Sequence, residues 1–284
     1  MGVFSFFKTK SQKQINFKQQ TRLKLGLSLS GGGAKGFAHI GVLRAFEEIG
    51  LNFDIVTGTS VGSIVGALYS AGIDSRQMEE FGKRLKTSDV LDKKILISPS
   101  KSKNVENLVK NWIGDVKFCD LSKQFACIAT NIKNGAEVIL QSGSVATAVS
   151  ASCSAPIFFD GVELDEMRLY DGGLTNNLPS DVARRMGADI VVGVTLSNTG
   201  TEGTEKTNLI SVAKSSFGII LRSTSMKGIL NSDVLISPIL TGKKSSKLEG
   251  IDVAMQMITA GYDSAKEKIP TILKIIDENK RNKK

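Results

Sequence analysis

Residues 55–62 read Ile-Val-Thr-Gly-Thr-Ser-Val-Gly, a short β-branched run that leads into a Gly-x-Ser-x-Gly pentad. Residues 63–69 are small or apolar and favour a helix. A serine placed between a strand and a helix, with glycine on both sides, is typical of a nucleophile elbow, whose tight turn exposes the hydroxyl. A short pentad also occurs by chance as a glycine-rich turn, so Gly58, Ser60 and Gly62 are candidates that depend on the rest of the chain.

A second glycine motif lies one predicted strand earlier. Residues 25–30 alternate apolar with small or polar side chains and predict a strand, and residues 31–36 read Gly-Gly-Gly-Ala-Lys-Gly. Residues 37–46 then repeat apolar side chains at helical spacing. Glycines before a helix expose N–H groups at its positive end, where they bind an anion. The anion is either a phosphate or the oxyanion of an acyl-transfer intermediate.

The glycine loop has a competing interpretation as a nucleotide site. Gly31, Gly33 and Gly36 fit the dinucleotide fingerprint, which expects an acidic residue at the end of the second strand. Asp54 has about the right separation, but it precedes that strand. Lys35 comes before the last glycine, which excludes a Walker-type phosphate loop. A dinucleotide-binding oxidoreductase therefore stays as a disfavoured alternative.

A serine nucleophile needs a base, and composition limits the choice. The chain has one histidine, His39, on the helix after the glycine loop, where an imidazole packs most simply against the sheet. Hydrolase elbows place histidine last in chain order, so a histidine triad is not expected. Asp171 follows the strand-like residues 167–170 and precedes two glycines. It is either a catalytic carboxylate or an ordinary Asp-Gly turn residue.

Together with the small-residue run 151–158, these motifs resemble, in order, those of the patatin-like phospholipases, a family of serine acyl hydrolases. The resemblance covers residues 25–189 and implies an α/β fold with three layers, α/β/α, around a central, mostly parallel sheet. It implies a Ser–Asp dyad in which Ser60 is the nucleophile and Asp171 is the proton acceptor. The remaining matched positions are the oxyanion loop and the residues that support the motifs: Gly31, Gly32 and Gly33 in the loop, then Lys35, Gly36, Gly58, Gly62, Gly172 and Gly173.

The activity that the resemblance implies is hydrolysis of fatty-acyl ester bonds in phospholipids, lysophospholipids or related lipids, with no metal and no cofactor. A catalytically idle adaptor on the same fold, which binds a membrane or a partner, is the second interpretation. The intact Ser60 and Asp171 count against it. Headgroup, acyl position, chain length and oligomeric state stay open.

Segment composition predicts one domain with basic ends. We divide the chain into a basic N-terminal segment (1–24), a catalytic region (25–189), strands and helices that complete the same domain (190–275) and a basic tail (276–284). With 284 residues, 41% of them hydrophobic, the chain is long enough for one α/β core. Strand-like runs that alternate with helical ones predict the largely parallel sheet, and they lie near 125–130, 137–141, 190–194 and 234–236. The polar insertion 72–120 is either a lid over the site or a surface excursion.

A net charge of +9 predicts an anionic partner. No nucleic-acid-binding motif accompanies this charge, so a lipid surface is preferred to nucleic acid. Residues 1–7 read Met-Gly-Val-Phe-Ser-Phe-Phe, and six basic residues follow before residue 25. This segment is either a peripheral anchor on anionic lipids or a solvated tail.

Cysteine usage and the N-terminus bear on the compartment. Three cysteines without paired spacing predict neither disulfides nor a zinc site and favour a reducing cytoplasm. The N-terminus lacks the apolar core of a signal peptide, which disfavours ordinary secretion and leaves other export routes open. No apolar run has the length of a membrane-spanning helix. We therefore expect a cytoplasmic protein, peripheral to a membrane if the N-terminal segment is an anchor.

Overall fold

A computed structural model describes residues 22–85, 87–90, 100–197, 208–240 and 250–282. Nearly all of the basic N-terminal segment, the predicted loops near 199–207 and 241–246, and the last residues of the basic tail lie outside these ranges. The division of the chain into segments stays a prediction.

The described residues form nine α-helices, eight strands and short 3-10 turns. The helices are α1 (Phe37–Glu48), α2 (Val61–Ser70), α3 (Ser75–Arg84), α4 (Thr87–Val90), α5 (Lys103–Ile113), α6 (Val145–Ser152), α7 (Ser180–Arg185), α8 (Leu209–Leu230) and α9 (Ile251–Asn282). The strands are β1 (Leu25–Leu29), β2 (Ile55–Thr59), β3 (Gln124–Asn131), β4 (Ala136–Leu140), β5 (Val162–Leu164), β6 (Met167–Asp171), β7 (Ile190–Val194) and β8 (Val234–Ile236).

The strands form one mixed sheet in the order β5-β6-β3-β2-β1-β7-β8, with β4 paired to β3. The five strands β3, β2, β1, β7 and β8 are parallel to one another. β4 and β6 run antiparallel to β3, and β5 runs antiparallel to β6. The predicted mostly parallel sheet is confirmed, and its antiparallel part is confined to the side of β3.

The register along β3 brings two strand ends together. β2 pairs with β3 up to Thr59, which lies opposite Ile128, while β4 follows β3 from Cys127 onward. Since a strand has only two edges, β2 and β4 must lie on different edges of β3. β6 pairs with β3 from Ala129 onward and therefore takes the edge that β2 has just left. The residue after Thr59 and the last residue of β6, Asp171, meet at this junction.

Alternating side chains cover both faces of the sheet, which gives the three layers that were predicted. On one face, the strands join α1, α2, α5, α6 and α9 in the largest apolar cluster. On the other face, Ala126, Ile128 and Val182 form a small cluster, and Ile55 and Ala183 belong to another. This second layer is α7, and α8 packs beside it.

The long helix α9 crosses α1 at a point where each helix has a glycine. A methyl group at Gly41 would collide with the carbonyl group of Ile258, and one at Gly261 would collide with the carbonyl group of Ala38. Apolar side chains further along α9, including Ile272, are buried. The two backbones therefore touch, and α9 closes the core over α1.

Candidate active site

Ser60 lies on a strained turn between β2 and α2. Its φ of 53° and ψ of −129° are unfavourable for any residue other than glycine. The Ser60 N–H donates to the Ser152 hydroxyl (3.0 Å), and the Ser60 carbonyl accepts from the Ser63 hydroxyl (2.6 Å). The surrounding serines thus hold the nucleophile-elbow conformation that the pentad predicts.

The glycines of the pentad lie where side chains do not fit. A methyl group at Gly58 would collide with the carbonyl group of Gly62, and one at Gly62 would collide with the carbonyl group of Leu29. Gly36, from the glycine loop, faces the side chain of Val61 with no room for a Cβ atom. The elbow is therefore packed directly against the end of β1 and the glycine loop.

Asp171 ends β6 and is fully buried. Its Oδ1 accepts from the Gly173 N–H (2.7 Å). Burial raises the pKa of Asp171 to about 6, against the opposing effects of the Ser60 hydroxyl and the Gly173 N–H. The buried carboxyl is thus tuned toward neutral pH.

The contact between Ser60 and Asp171 is close but not fully aligned. The Ser60 hydroxyl is near enough to lower the pKa of the carboxyl, yet Oδ2 of Asp171 has no partner with standard hydrogen-bond geometry among the described residues. Hydrogen bonds between catalytic groups are often loose before substrate binds. The geometry is that of a serine and a carboxylate facing each other across the strand junction.

The two glycines after Asp171 lie where side chains do not fit. A methyl group at Gly172 would collide with the carbonyl group of Ile128, and one at Gly173 would collide with the Leu221 side chain of α8. The backbone after Asp171 is therefore pressed between β3 and α8, which fixes the direction of the carboxyl.

The glycine loop lies beside the elbow. A Cβ atom at Gly31 would sit 3.0 Å from the Cβ of Ser60. The Gly31 N–H donates to the carbonyl group of Asn177 (3.2 Å). The assignment of Gly31, Gly32 and Gly33 as oxyanion donors stays a prediction.

Lys35 adds positive charge next to this loop. It is partly buried, and burial, with a smaller effect from the nearby Arg222 of α8, lowers its pKa. Two cationic side chains from different elements thus lie close to each other beside the glycine loop.

Asn177 is a site residue that sequence reasoning missed. Its side chain is buried, and its Nδ2 donates to the hydroxyls of Ser197 and Ser225, both at 3.0 Å. Its Oδ1 has no partner among the described residues and lies 2.5 Å from where a Cβ of Gly31 would be. Its place in the run Asn-Asn-Leu-Pro, right after the Asp-Gly-Gly turn, was the available signal.

His39 is a core residue, as predicted. Its side chain is fully buried, and its Nε2–H donates to the carbonyl group of Ser30 (2.8 Å). Burial lowers the pKa of His39 to about 4, although the bond to Ser30 opposes this, so the ring is neutral at pH 7. The imidazole therefore secures the end of β1.

The position of Asp54 counts against the dinucleotide interpretation. Asp54 precedes β2, and its carboxylate accepts from the Leu25 N–H (3.0 Å) and from Arg22 (2.5 Å). This is the edge where β1 and β2 begin, whereas the glycine loop is at the edge where β1 ends. The acidic side chain therefore cannot reach a ligand on that loop.

The cysteines are free, and one lies near the site. Cys153 is buried, and its Sγ is 3.7 Å from the Ser63 hydroxyl. Burial raises the pKa of its thiol well above the usual range, and the Asp171 charge adds to this. Cys153 is therefore an unreactive thiol that fills space behind the elbow.

The insertion 72–120 packs beside α1 and α6. The rings of Phe81 and Trp112 stack with centroids 5.3 Å apart, which joins α3 to α5. Ser150 of α6 donates its hydroxyl to the carbonyl group of Ser102 (2.6 Å). Residues 91–99 lie outside the described ranges, so a lid in this insertion stays a prediction.

The described ranges contain neither a metal-type cluster of side chains nor a helix suited to span a membrane. No set of three or more His, Cys, Asp and Glu side chains there is grouped as a metal site would be. None of the helices in those ranges has the length and apolar character needed to cross a bilayer.

Comparison with known proteins matches residues 27–184 to a family model described as Patatin-like phospholipase. The chain is 37% identical over 161 residues to an uncharacterized NTE family protein of Mycobacterium tuberculosis. The aligned region covers 56% of this chain and 28% of that protein. It is 33% identical over 201 residues to human patatin-like phospholipase domain-containing protein 6, over 66% of this chain and 15% of the relative. The chain thus spans less than a third of the length of these curated relatives.

Among solved structures, VipD from Legionella pneumophila has a similar fold. The TM-score is 0.60 at 16% sequence identity, over 88% of this chain and 67% of that chain. At this identity the likeness concerns the fold alone.

Proposed function

Since the chain belongs to the patatin-like phospholipase family, we propose that it is a carboxylic ester hydrolase that releases fatty-acyl chains from phospholipids, lysophospholipids or related lipids. The family description and the name of the human relative support the lipid class. The observation that carries the proposal is the Ser60 hydroxyl on a strained turn, facing the buried carboxyl of Asp171.

In the first half of the proposed reaction, Ser60 Oγ attacks the carbonyl carbon of the ester, and Asp171 accepts the hydroxyl proton. A pKa of about 6 makes Asp171 a stronger base than a carboxylate in water, and it is still ionised at neutral pH. The ester carbonyl oxygen becomes an oxyanion, which the N–H groups of Gly32 and Gly33 stabilise.

The rest of the reaction passes through an acyl ester on Ser60 and a second tetrahedral intermediate. Asp171 returns the proton to the departing alcohol oxygen, which leaves an acyl ester on Ser60. Water attacks this ester while Asp171 accepts one of its protons, and the second intermediate collapses as Asp171 returns that proton to Ser60 Oγ, which releases the fatty acid and restores the free enzyme. Lys35 and the glycines of the two motifs support this geometry without exchanging protons.

The test compares two variants with matched surface controls on a soluble short-chain ester and on phospholipid vesicles. Ser60→Ala removes the nucleophile and Asp171→Asn removes the proton acceptor, so each should lower kcat/KM by about 10³-fold or more. Ser142→Ala and Asp115→Asn change exposed residues of the same types and should stay near the wild-type rate. Substantial turnover by a folded Ser60→Ala protein would refute the assignment.

Covalent labelling separates this proposal from the idle adaptor. A fluorophosphonate reacts with an activated serine, so it should label the wild-type protein and leave Ser60→Ala unlabelled. A wild-type protein that is folded, binds lipid and is not labelled would instead support the adaptor.

A further inference from the structure

The helix α8 is apolar on the side that points away from the protein. Its exposed apolar residues form what we call the outer stripe: Leu209, Val212, Ile219, Met226 and Leu230, with 84%, 49%, 57%, 53% and 81% of their surface exposed. Spacings of three, seven, seven and four residues place all five on one face of the helix. A helix of a soluble protein normally turns such a face inward.

The opposite side of α8 mixes small, polar and apolar residues, and it holds the helix in place. The Thr224 hydroxyl donates to the carbonyl group of Gly173 (2.7 Å), and Ser225 accepts from Asn177 (3.0 Å). Gly228 is so close to the carbonyl group of Leu178 that a methyl group would collide with it. The helix thus attaches to the protein by this inner face, and no described residue covers the outer stripe.

The charged residues around the outer stripe indicate which kind of partner binds there. None of residues 209–230 is acidic. By helical geometry, the exposed Arg222 and Lys227 flank the stripe, one on each side, and Lys227 also pairs with Asp181 (2.6 Å) and Glu137 (3.7 Å). A second copy of the chain docked through this stripe would bring up another helix without acidic residues, which offers these cations no ion pair. An apolar stripe between cations is typical of a helix that lies in an anionic lipid interface.

The outer stripe is also close to the candidate active site. The inner face of α8 contacts Gly173, which binds Asp171, and Asn177, which binds the glycine loop. The stripe is therefore about one helix diameter, roughly 10 Å, from the residues that hold the Ser60–Asp171 pair.

We propose that the outer stripe of α8 docks the protein on the surface of an anionic phospholipid bilayer and so holds the site next to lipids in that surface. The purpose of the docking rests on the proposed function, but the docking itself requires no catalysis.

The experiment measures sedimentation of the full chain with vesicles of diether phosphatidylcholine, with and without diether phosphatidylglycerol. These lipids contain no acyl ester, so binding is measured independently of hydrolysis. The double variant Ile219→Glu/Met226→Glu places two carboxylates in the stripe and should lower the partition coefficient about tenfold or more on anionic vesicles. Ile49→Glu/Leu273→Glu, which changes exposed apolar residues outside α8, should bind like the wild type. Circular dichroism confirms that each variant is folded.

Equal sedimentation of the stripe variant and the wild type would overturn the proposal. So would a wild-type dimer that the stripe variant converts to a monomer, because the stripe would then be an interface between copies. A third outcome separates the two proposals. If the wild-type protein does not hydrolyse ester lipids, while the stripe variant binds vesicles more weakly than the wild type, the proposed function is refuted and the docking surface stands.

Discussion

The carboxyl of Asp171 is subject to two opposing demands. As the proposed base for Ser60 it benefits from burial, because a higher pKa makes it a better proton acceptor. As part of the folded protein it suffers from the same burial, because a desolvated charge with an unpartnered oxygen destabilises the folded state. The first demand affects activity and the second affects stability, so the two can be measured separately.

The activity should follow the ionisation of Asp171. Below about pH 6 the carboxyl is protonated and cannot accept the Ser60 proton, so kcat/KM should fall about tenfold for each further pH unit. The measurement is kcat/KM on a soluble ester as a function of pH. An acid limb centred near the pKa of an ordinary aspartate, about 4, would show that burial does not tune this group.

Whereas the activity should rise with pH as Asp171 ionises, the stability of the folded protein should fall. Since the folded-state pKa of Asp171 is about 6 and the unfolded value is about 3.9, the folded protein holds the extra proton between these pH values. The free energy of unfolding therefore falls as pH rises through this window. An asparagine side chain does not titrate, so the free energy of unfolding of Asp171→Asn, relative to that of the wild type, should rise by about 1–3 kcal/mol between about pH 4 and pH 8.

Urea unfolding at about pH 4 and pH 8 measures this difference in stability between Asp171→Asn and the wild type. Asp115→Asn, a substitution at an exposed position, is the control. A difference between Asp171→Asn and the wild type that does not change with pH would contradict the raised pKa.

At the scale of single elements, the elbow depends on contacts between backbones. Gly62→Ala would push a methyl group into the carbonyl group of Leu29, and neither backbone can move without disturbing the sheet. We expect a loss of about 3 kcal/mol or more in the free energy of unfolding. Gly50→Ala is the matched control, because Gly50 has a positive φ of 67° and open space around it, and should cost only about 1 kcal/mol. Equal losses from urea unfolding would mean that the elbow tolerates the methyl group.

Much of the element pattern could be predicted from the sequence. β1, β2, β7 and β8 are where alternation and β-branched runs placed them, because these signals are local to a few residues. The end-to-end arrangement of β2 and β6 along β3 could not be predicted, since it depends on register between distant segments. The order of motifs therefore indicated Ser60 and Asp171, while the sheet explains why they meet.

The finer geometry of the site could not be predicted from the sequence either. The sequence cannot show that the Gly31 N–H is already bound by the carbonyl group of Asn177, because that contact joins residues far apart in the chain. Nor could helical periodicity show which face of α8 points inward, since that face carries the polar Thr224 and Ser225 while the outer stripe is apolar. Both features appear only when the elements have packed.

At the scale of the whole molecule, the basic N-terminal segment should add to membrane adsorption. Phe4, Phe6 and Phe7 offer apolar area, and each basic residue near an anionic surface contributes about 1 kcal/mol. Deletion of Met1–Gln20 should therefore weaken sedimentation with anionic vesicles, most strongly at low salt. Turnover of a soluble ester is the fold control, because Ser60 and Asp171 lie outside the deleted segment. Unchanged sedimentation would reduce the segment to a solvated tail.

The crossing of α1 and α9 has a consequence for the order of events during translation. A ribosome releases α1 and both Ser60 and Asp171 before it has made α9. Until then the face of α1 around Gly41 lacks the cover that α9 gives it and is open to water. We expect this face of α1 to be covered only after α9 has left the exit tunnel. The strand junction that carries Ser60 and Asp171 is therefore synthesised before the helix that covers α1.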